Sequence, residues 1–195
     1  MARWEPNTRE RLVRAALDLF TEQGYDATTV SAIAERAGGL TKMTFFRYFP
    51  DKREVLFGIG QEVHSQLMAD AITAAPGSAT PLQAVQAALD AVSAAFADDR
   101  RELATKLRAV IAANRELQER ATFKRAALTE AMREALAKRG VPDPAAGLAA
   151  ELGSGAFYTA FDRWADPADP ARQQTLTELS RQALGELRTA AATLA

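Results

Sequence analysis

Cysteine is absent from this 195-residue chain, and histidine occurs once. Without thiols there is no disulfide scaffold, zinc-thiolate site, iron–sulfur cluster or thiol catalysis. One histidine cannot build the usual histidine-based zinc sites either. Charge of either sign is nearly balanced, with 24 Lys and Arg against 25 Asp and Glu and a net charge of −1. That excludes a protein that grips nucleic acid through bulk positive charge. No stretch approaches the roughly 20 apolar residues of a membrane span. Met1-Ala2-Arg3-Trp4-Glu5-Pro6 lacks the apolar core of a secretion signal. The expectation is a soluble, cytoplasmic globular protein with no catalytic residues, no metal, no cofactor and no membrane partner. Its function would lie in a non-covalent binding surface.

Proline and glycine are sparse, at 8 and 11 residues. Pro6, Pro50, Pro76, Pro81, Pro142, Pro144, Pro167 and Pro170 bracket segments of helical period, and no Asn-Gly or Asp-Gly hairpin signal occurs. The fold class is therefore all-α: an N-terminal three-helix helix-turn-helix domain plus a C-terminal helical bundle, about nine helices in total. The expected division is 1–57 and 58–195.

Asn7 and Glu10 have capping-box spacing, and Leu12, Ala16, Leu19 and Phe20 share one helix face up to a stop at Gly24. Thr28 or Thr29 caps a second helix with Val30, Ile33, Ala34 and Ala37 inward, which Gly38-Gly39 break. Thr41 caps a third helix that runs to Phe49, before Pro50. Asp51 with Glu54 opens a long fourth helix whose stripe is Leu56, Ile59, Val63 and Leu67. Ala-rich helices are then expected over about 81–97, 100–113, 116–139, 144–165 and 170–192. Ala lowers the cost of helix formation and lets helices approach closely, which suits a bundle.

Two short helices joined by a glycine-containing turn form the unit that sets a recognition helix into the DNA major groove. Residues 28–38 fit the first helix and turn, and 41–49 fit the recognition helix. Phe45 and Phe49, four apart, face inward; Lys42, Thr44, Arg47 and Tyr48 carry hydrogen-bonding groups. Residues 1–7, with Arg3 and Trp4, read as a mobile tail, with a minor-groove arm as the alternative.

Residues 8–57 resemble the DNA-binding domain of the TetR family of bacterial transcription regulators. The resemblance is carried by Ala16-Leu17-Asp18-Leu19-Phe20, Gly24-Tyr25, Thr28-Thr29-Val30, Ile33-Ala34, Ala37-Gly38, and Thr44 through Phe49 followed by Lys52. It implies all-α homodimers that bind a double-stranded DNA operator and, through the C-terminal domain, a small effector. Carried over by position, Lys42, Thr44, Phe46, Arg47 and Tyr48 fall where members touch DNA. Ser31 or its neighbour Thr29 matches a phosphate contact of the second helix, and Lys52 a phosphate-contacting lysine at the start of the fourth. Hydroxyls suit phosphate oxygens, whereas Lys42 and Arg47 suit guanine O6 and N7. This chain departs from the family pattern at Gly39-Leu40, one residue longer than the usual interval, and at Phe46, where Tyr is common.

The last two helices carry Phe157, Phe161 and Trp164, then Leu176, Leu179, Ala183, Leu187 and Ala190, at helical spacing. Gly147, Gly153, Gly155 and Ala156 thin the first of the two. Packing within one subunit explains these features as well as pairing of two subunits does; the resemblance implies that they form the dimer interface. Expected effector-binding residues are His64, Met68, Phe96, Leu107, Arg108, Ile111, Phe123, Phe157, Tyr158 and Phe161, a mostly apolar set that suits a hydrophobic or amphipathic molecule. The whole reads as a homodimeric repressor released by its effector. The alternatives are a DNA-binding dimer without an effector and, more remotely, an all-α enzyme around His64, for which no nucleophile–base pair is visible.

Overall fold

The computed structural model describes residues 8–57, 61–96, 100–170 and 173–194, without the side chains of residues 61 and 62. All regular structure among them is helical. The elements are α1 (Thr8–Gln23), α2 (Val30–Arg36), α3 (Lys42–Tyr48), α4 (Glu54–Phe57), α5 (Gln61–Ala74), α6 (Pro81–Ser93), α7 (Arg101–Ala112), α8 (Arg115–Lys138), α9 (Asp143–Ala165) and α10 (Leu176–Ala192). No helix among the described residues is long and apolar enough to cross a membrane. The count is ten rather than nine because the expected fourth helix is described as α4 and α5. The proposed Asn7 cap, Arg3 and Trp4 lie outside the described residues, as does Ile59.

Two compact units are present: residues 1–61 with 103–121, and residues 62–102 with 122–195. The first thus includes residues 103–121 besides the N-terminal segment. Leu12, Leu17, Ile33, Phe45, Phe49 and Val55 form its core, which Val110 and Leu117 complete, with Leu103, Leu107 and Ile111 packed against it. Ion pairs fix the later segment to the earlier one: Lys106–Asp18 at 2.9 Å, Arg120–Glu54 at 2.6 Å and Arg53–Glu116 at 3.3 Å.

Within this unit the helix boundaries follow local chemistry. Gly24 ends α1 with φ +85° and donates to the Phe20 carbonyl. Thr29 caps α2, accepting from the Ala32 N–H, and Thr41 caps α3, accepting from the Thr44 N–H. Asp51 Oδ1 accepts from the N–H groups of Arg53 and Glu54 at 2.8 and 3.0 Å, which starts α4.

The turn between α2 and α3 runs through two consecutive glycines with positive φ, Gly38 at +108° and Gly39 at +69°. Gly39 N–H donates to the Glu35 carbonyl and Leu40 N–H to that of Ala34. This closes the helix end while Leu40 packs on the core. A Cβ at Gly38 would also collide with the Arg11 guanidinium, whose Nε donates to the Ala37 carbonyl at 2.8 Å. Gly38→Ala should therefore destabilise the first unit by about 1–3 kcal/mol, the cost of a non-glycine residue in a sparsely populated conformation. A thermal melt checks this; a transition unchanged from wild type would contradict the turn geometry.

The second unit is built on α6, α9 and α10, which pack on one another. Ala84, Val85, Ala88, Leu89 and Val92 of α6 are buried with Ala146, Ala150 and Trp164 of α9 and Leu176, Leu179 and Ala183 of α10. A Cβ at Gly153 would lie 2.5 Å from Val85 Cγ1, and one at Gly155 3.4 Å from Leu187 Cδ1. These two glycines thus admit neighbours from the same chain, whereas no neighbour among the described residues lies within 4 Å of a Cβ at Gly147. Thr175 and Glu178 form a reciprocal capping box, so the last helix begins at Leu176 rather than near residue 170. Arg139 caps the end of α5 from α8, donating to the carbonyls of Ile72, Thr73, Ala75 and Pro76.

The buried face of α5 differs from the expected stripe. Met68 and Ile72 are fully buried, while Val63 is 67% exposed and Leu67 half-buried. Burying Met68 and Ile72, four residues apart, turns Val63 outward.

Candidate nucleic-acid interface

Helix α3 has only seven residues, too few to persist alone, and tertiary contacts must hold it. Phe45 is completely buried and Phe49 nearly so, their rings 5.4 Å apart. Tyr48 is half-buried against the same core. These anchors turn Lys42, Met43, Phe46 and Arg47 outward, all of them exposed. Thr44 is half-buried, with its hydroxyl 3.0 Å from that of Thr41.

Aromatic rings steady the two cations of α3. Lys42 Nζ lies 5.8 Å from the Phe46 ring centre, and the Arg47 guanidinium 5.3 Å from that of Tyr48. Phe46 stands edge-on to Phe45, at 5.6 Å and 86°, so its own ring is oriented from below. On α2, Ser31 and Thr29 are both exposed. The Thr29 oxygen accepts the capping bond, which leaves its O–H proton for an outside acceptor. Of the recognition-helix candidates, Lys42, Phe46 and Arg47 are exposed and Thr44 and Tyr48 half-buried, while Phe45 and Phe49 are core.

Lys52 behaves differently from an outward-pointing cation. It precedes α4, as expected, but its ammonium donates to the backbone carbonyls of Tyr25 at 2.8 Å and Thr28 at 3.1 Å. It also sits 4.0 Å from the Tyr25 ring centre. Two of its three N–H donors are thus spent on joining the α1–α2 turn to the start of α4. Tyr25 is itself buried, and burial, with Glu116 and Asp51 adding, holds its hydroxyl well above the ordinary tyrosine range. Below it the turn is pinned by Thr28, whose buried hydroxyl donates to the Gly24 carbonyl at 2.8 Å. Lys52→Met should cost about 1.5–3 kcal/mol of stability, the range for hydrogen bonds to a charged group. Chemical denaturation reads this directly, and an unchanged midpoint would show that the ammonium is not a structural tie.

Sequence reasoning passed over Met43, which is 83% exposed. Its signal was positional, since it stands three residues before Phe46 and four before Arg47.

The expected effector residues divide. His64, Phe96, Phe157, Tyr158 and Phe161 lie in one aromatic cluster of the second unit, which also contains Trp164. His64 is 5.0 Å from Phe96, and Phe96 is 6.2, 5.9 and 6.1 Å from Phe157, Phe161 and Trp164. Tyr158 joins through Phe157 at 5.5 Å and lies under the Arg125 guanidinium. Burial, with the charge of Arg100 adding to it, holds the His64 imidazole below the ordinary histidine range.

Met68 is fully buried. Leu107 and Ile111 instead pack on the core of the first unit, because α7 turns its apolar side to it beyond residue 103. Arg108 is half-buried in that unit, and Phe123 is 63% exposed. Beside the aromatic cluster, Arg101 lies 5.1 Å over the Trp164 ring and donates to the Gln174 backbone carbonyl at 2.9 Å. The buried Trp164 indole N–H and the buried Gln174 side-chain oxygen have no hydrogen-bond partner among the described residues. A separate open groove of about 430 Å³ runs between α5 and α8, lined by Ser65, Gln66, Asp70, Thr73, Glu134 and Lys138 among others. None of the expected effector residues lines that groove. No group of three or more metal-ligating side chains occurs among the described residues.

Residues 12–59 match the family model of bacterial regulatory proteins, tetR family. The transcriptional regulator TcmR of Streptomyces glaucescens is 42% identical over 85 residues, covering 44% of this chain and 37% of TcmR. BetI of Rhizobium meliloti (strain 1021), another helix-turn-helix regulator, is 36% identical over 83 residues, covering 43% of this chain and 40% of BetI. The matched stretch thus spans about two fifths of these relatives' own lengths. Among solved structures, a SmeT–triclosan complex aligns with 94% of this chain and 90% of that one, with a TM-score of 0.62 and 23% identity. The regulator FadR from Bacillus subtilis in complex with stearoyl-CoA aligns over 90% of this chain and 95% of that one, with a TM-score of 0.58 and 20% identity. The likeness to these two structures is one of fold.

Proposed function

We infer that this chain, which through residues 12–59 belongs to the tetR family of bacterial regulatory proteins, is a homodimeric repressor released from a palindromic operator by a small effector. The observation that carries the reading is α3 itself: seven residues held from beneath by Phe45 and Phe49, with two cations presented outward. Lys42 and Arg47 read base edges, Thr29, Ser31 and Thr44 contact phosphates, and Phe46 and Tyr48 pack against the groove. Lys52 serves chiefly to hold the α1–α2 turn, with one N–H left for a phosphate. Residues 1–57 carry nine basic and eight acidic residues, so placed contacts rather than bulk charge must supply affinity.

A dimer is required because a seven-residue helix reads only a few base pairs. Two copies place their recognition helices roughly 34–36 Å apart on one face of the duplex. The outer side of α9 supports pairing through the last two helices. Leu148 is 59% exposed, and the space beside neighbouring Gly147 is open.

The aromatic cluster supports an amphipathic effector. Apolar rings offer area, and the unpaired Trp164 donor and Gln174 acceptor carry a desolvation cost that a polar ligand group would relieve. Ligand-bound relatives of the same fold include proteins complexed with triclosan and stearoyl-CoA. An effector shifts DNA affinity only as far as it discriminates between the bound and released conformations. The site of action is the bacterial cytoplasm, on the nucleoid when DNA is bound. Sedimentation of the protein with its operator duplex tests the assembly: two chains per duplex are expected, and one chain per duplex, or no complex, overturns it.

A further inference from the structure

We propose that Met43 and Phe46 form an apolar reading surface for thymine methyl groups, so that the bound half-site carries thymines where these two side chains reach. The inference rests on the DNA-binding reading above. Among the described residues of the first unit, these are the two large apolar side chains left exposed, Met43 by 83% and Phe46 by 45%. Every other large apolar side chain described there is buried or half-buried.

Their placement is systematic. A helix turns about 100° per residue, so Phe46 and Arg47 flank Met43 on one face while Phe45 lies on the opposite one. Phe45 occupies the core, which leaves Met43 at the centre of the outward face. The patch is bracketed by the cations Lys42 and Arg47, so it is continuous with the polyanion-facing surface.

The chemistry selects the occupant. In the major groove, guanine offers two acceptors and adenine an acceptor and a donor, whereas thymine alone presents a methyl group. A thioether and a phenyl ring donate no hydrogen bond, and the sulfur is only a weak acceptor, so both side chains suit the methyl better than the polar edges. The Phe46 ring is held edge-on by Phe45 and flanked by Lys42, giving a fixed apolar wall. Met43 is unbranched and polarisable, and it can adjust to the methyl beside that wall. The cations would then read guanine and the apolar pair thymine, a division of labour that one short helix can sustain.

Replacing every thymine of the operator half-sites with deoxyuridine removes the methyl groups and leaves the base-pairing pattern intact. Fluorescence anisotropy with the two duplexes should show weaker binding of the uracil form. The expected loss is about fourfold per buried methyl, hence about tenfold or more over two half-sites. In the variant Met43→Ala with Phe46→Ala, the preference should fall below about twofold while the thermal melt stays at the wild-type value, since both side chains are exposed. Wild-type binding of both duplexes within twofold overturns the proposal. So does a preference that survives in the double variant, because the methyls are then read elsewhere. Absence of any sequence-specific complex with either duplex overturns the regulatory reading itself, a distinct result.

Discussion

Phe45→Ala should unfold the helix-turn-helix and abolish DNA binding together. The ring is completely buried, packed against the tilted Phe49 ring at 5.4 Å and supporting Phe46 at 5.6 Å. Truncating a buried phenylalanine costs about 3–5 kcal/mol through lost transfer energy and the cavity left behind. A domain holds only about 5–15 kcal/mol in total, so the loss takes a large share of it. Helix α3 is the element most exposed to the damage, because its seven residues have little stability of their own. The melt followed by circular dichroism should shift well below that of wild type, with DNA affinity lost before the shifted midpoint. An unchanged melt would place Phe45 outside the core and remove the anchor on which the recognition surface depends.

Arg47→Ala should leave the melt unchanged and weaken binding severely. A bidentate base contact is worth about 1–3 kcal/mol of discrimination. In a two-fold complex the contact is lost twice, so the expected fall lies between about thirtyfold and twenty-thousandfold. Arg47 is exposed at the last turn of α3, with its guanidinium against the Tyr48 ring. Titration against a panel of single-base operator variants should show relaxed preference at one position per half-site. Equal loss on every sequence would make Arg47 a phosphate contact that fixes position and reads nothing.

The N-terminal unit was legible because its signals are local. Thr29, Thr41 and Asp51 cap their helices with their own side chains, Gly24 and Gly38 adopt backbone conformations that glycine favours, and Phe45 with Phe49 fall four apart. What escaped was set by contacts distant in sequence. Leu107 and Ile111 announce an apolar face but not its destination, and they pack on the first unit's core rather than with the aromatic cluster. Lys52 reads as a cation at a helix start; its partners are backbone carbonyls at Tyr25 and Thr28, which leave no mark in the sequence. On α5 two neighbouring stripes are both apolar enough to be buried, and packing chose Met68 and Ile72 over Val63. Met43 was passed over although its spacing to Phe46 and Arg47 sets it on their face; its exposure makes the placement plain.

The glycines of α9 illustrate the same limit. Four small residues in one helix signal close approach, yet Gly153 meets Val85 of α6 and Gly155 meets Leu187 of α10 within the same chain. Elsewhere on that helix, Leu148 is exposed beside Gly147.

The central claim is that α3 reads DNA as one of a symmetric pair. Selection of bound duplexes from a random pool tests it most directly. The account predicts an inverted repeat whose half-sites are centred about 10 base pairs apart, or a multiple of that spacing, as paired recognition helices require. Recovery of duplexes with no shared motif, or of a motif unaffected by Arg47→Ala, would contradict it.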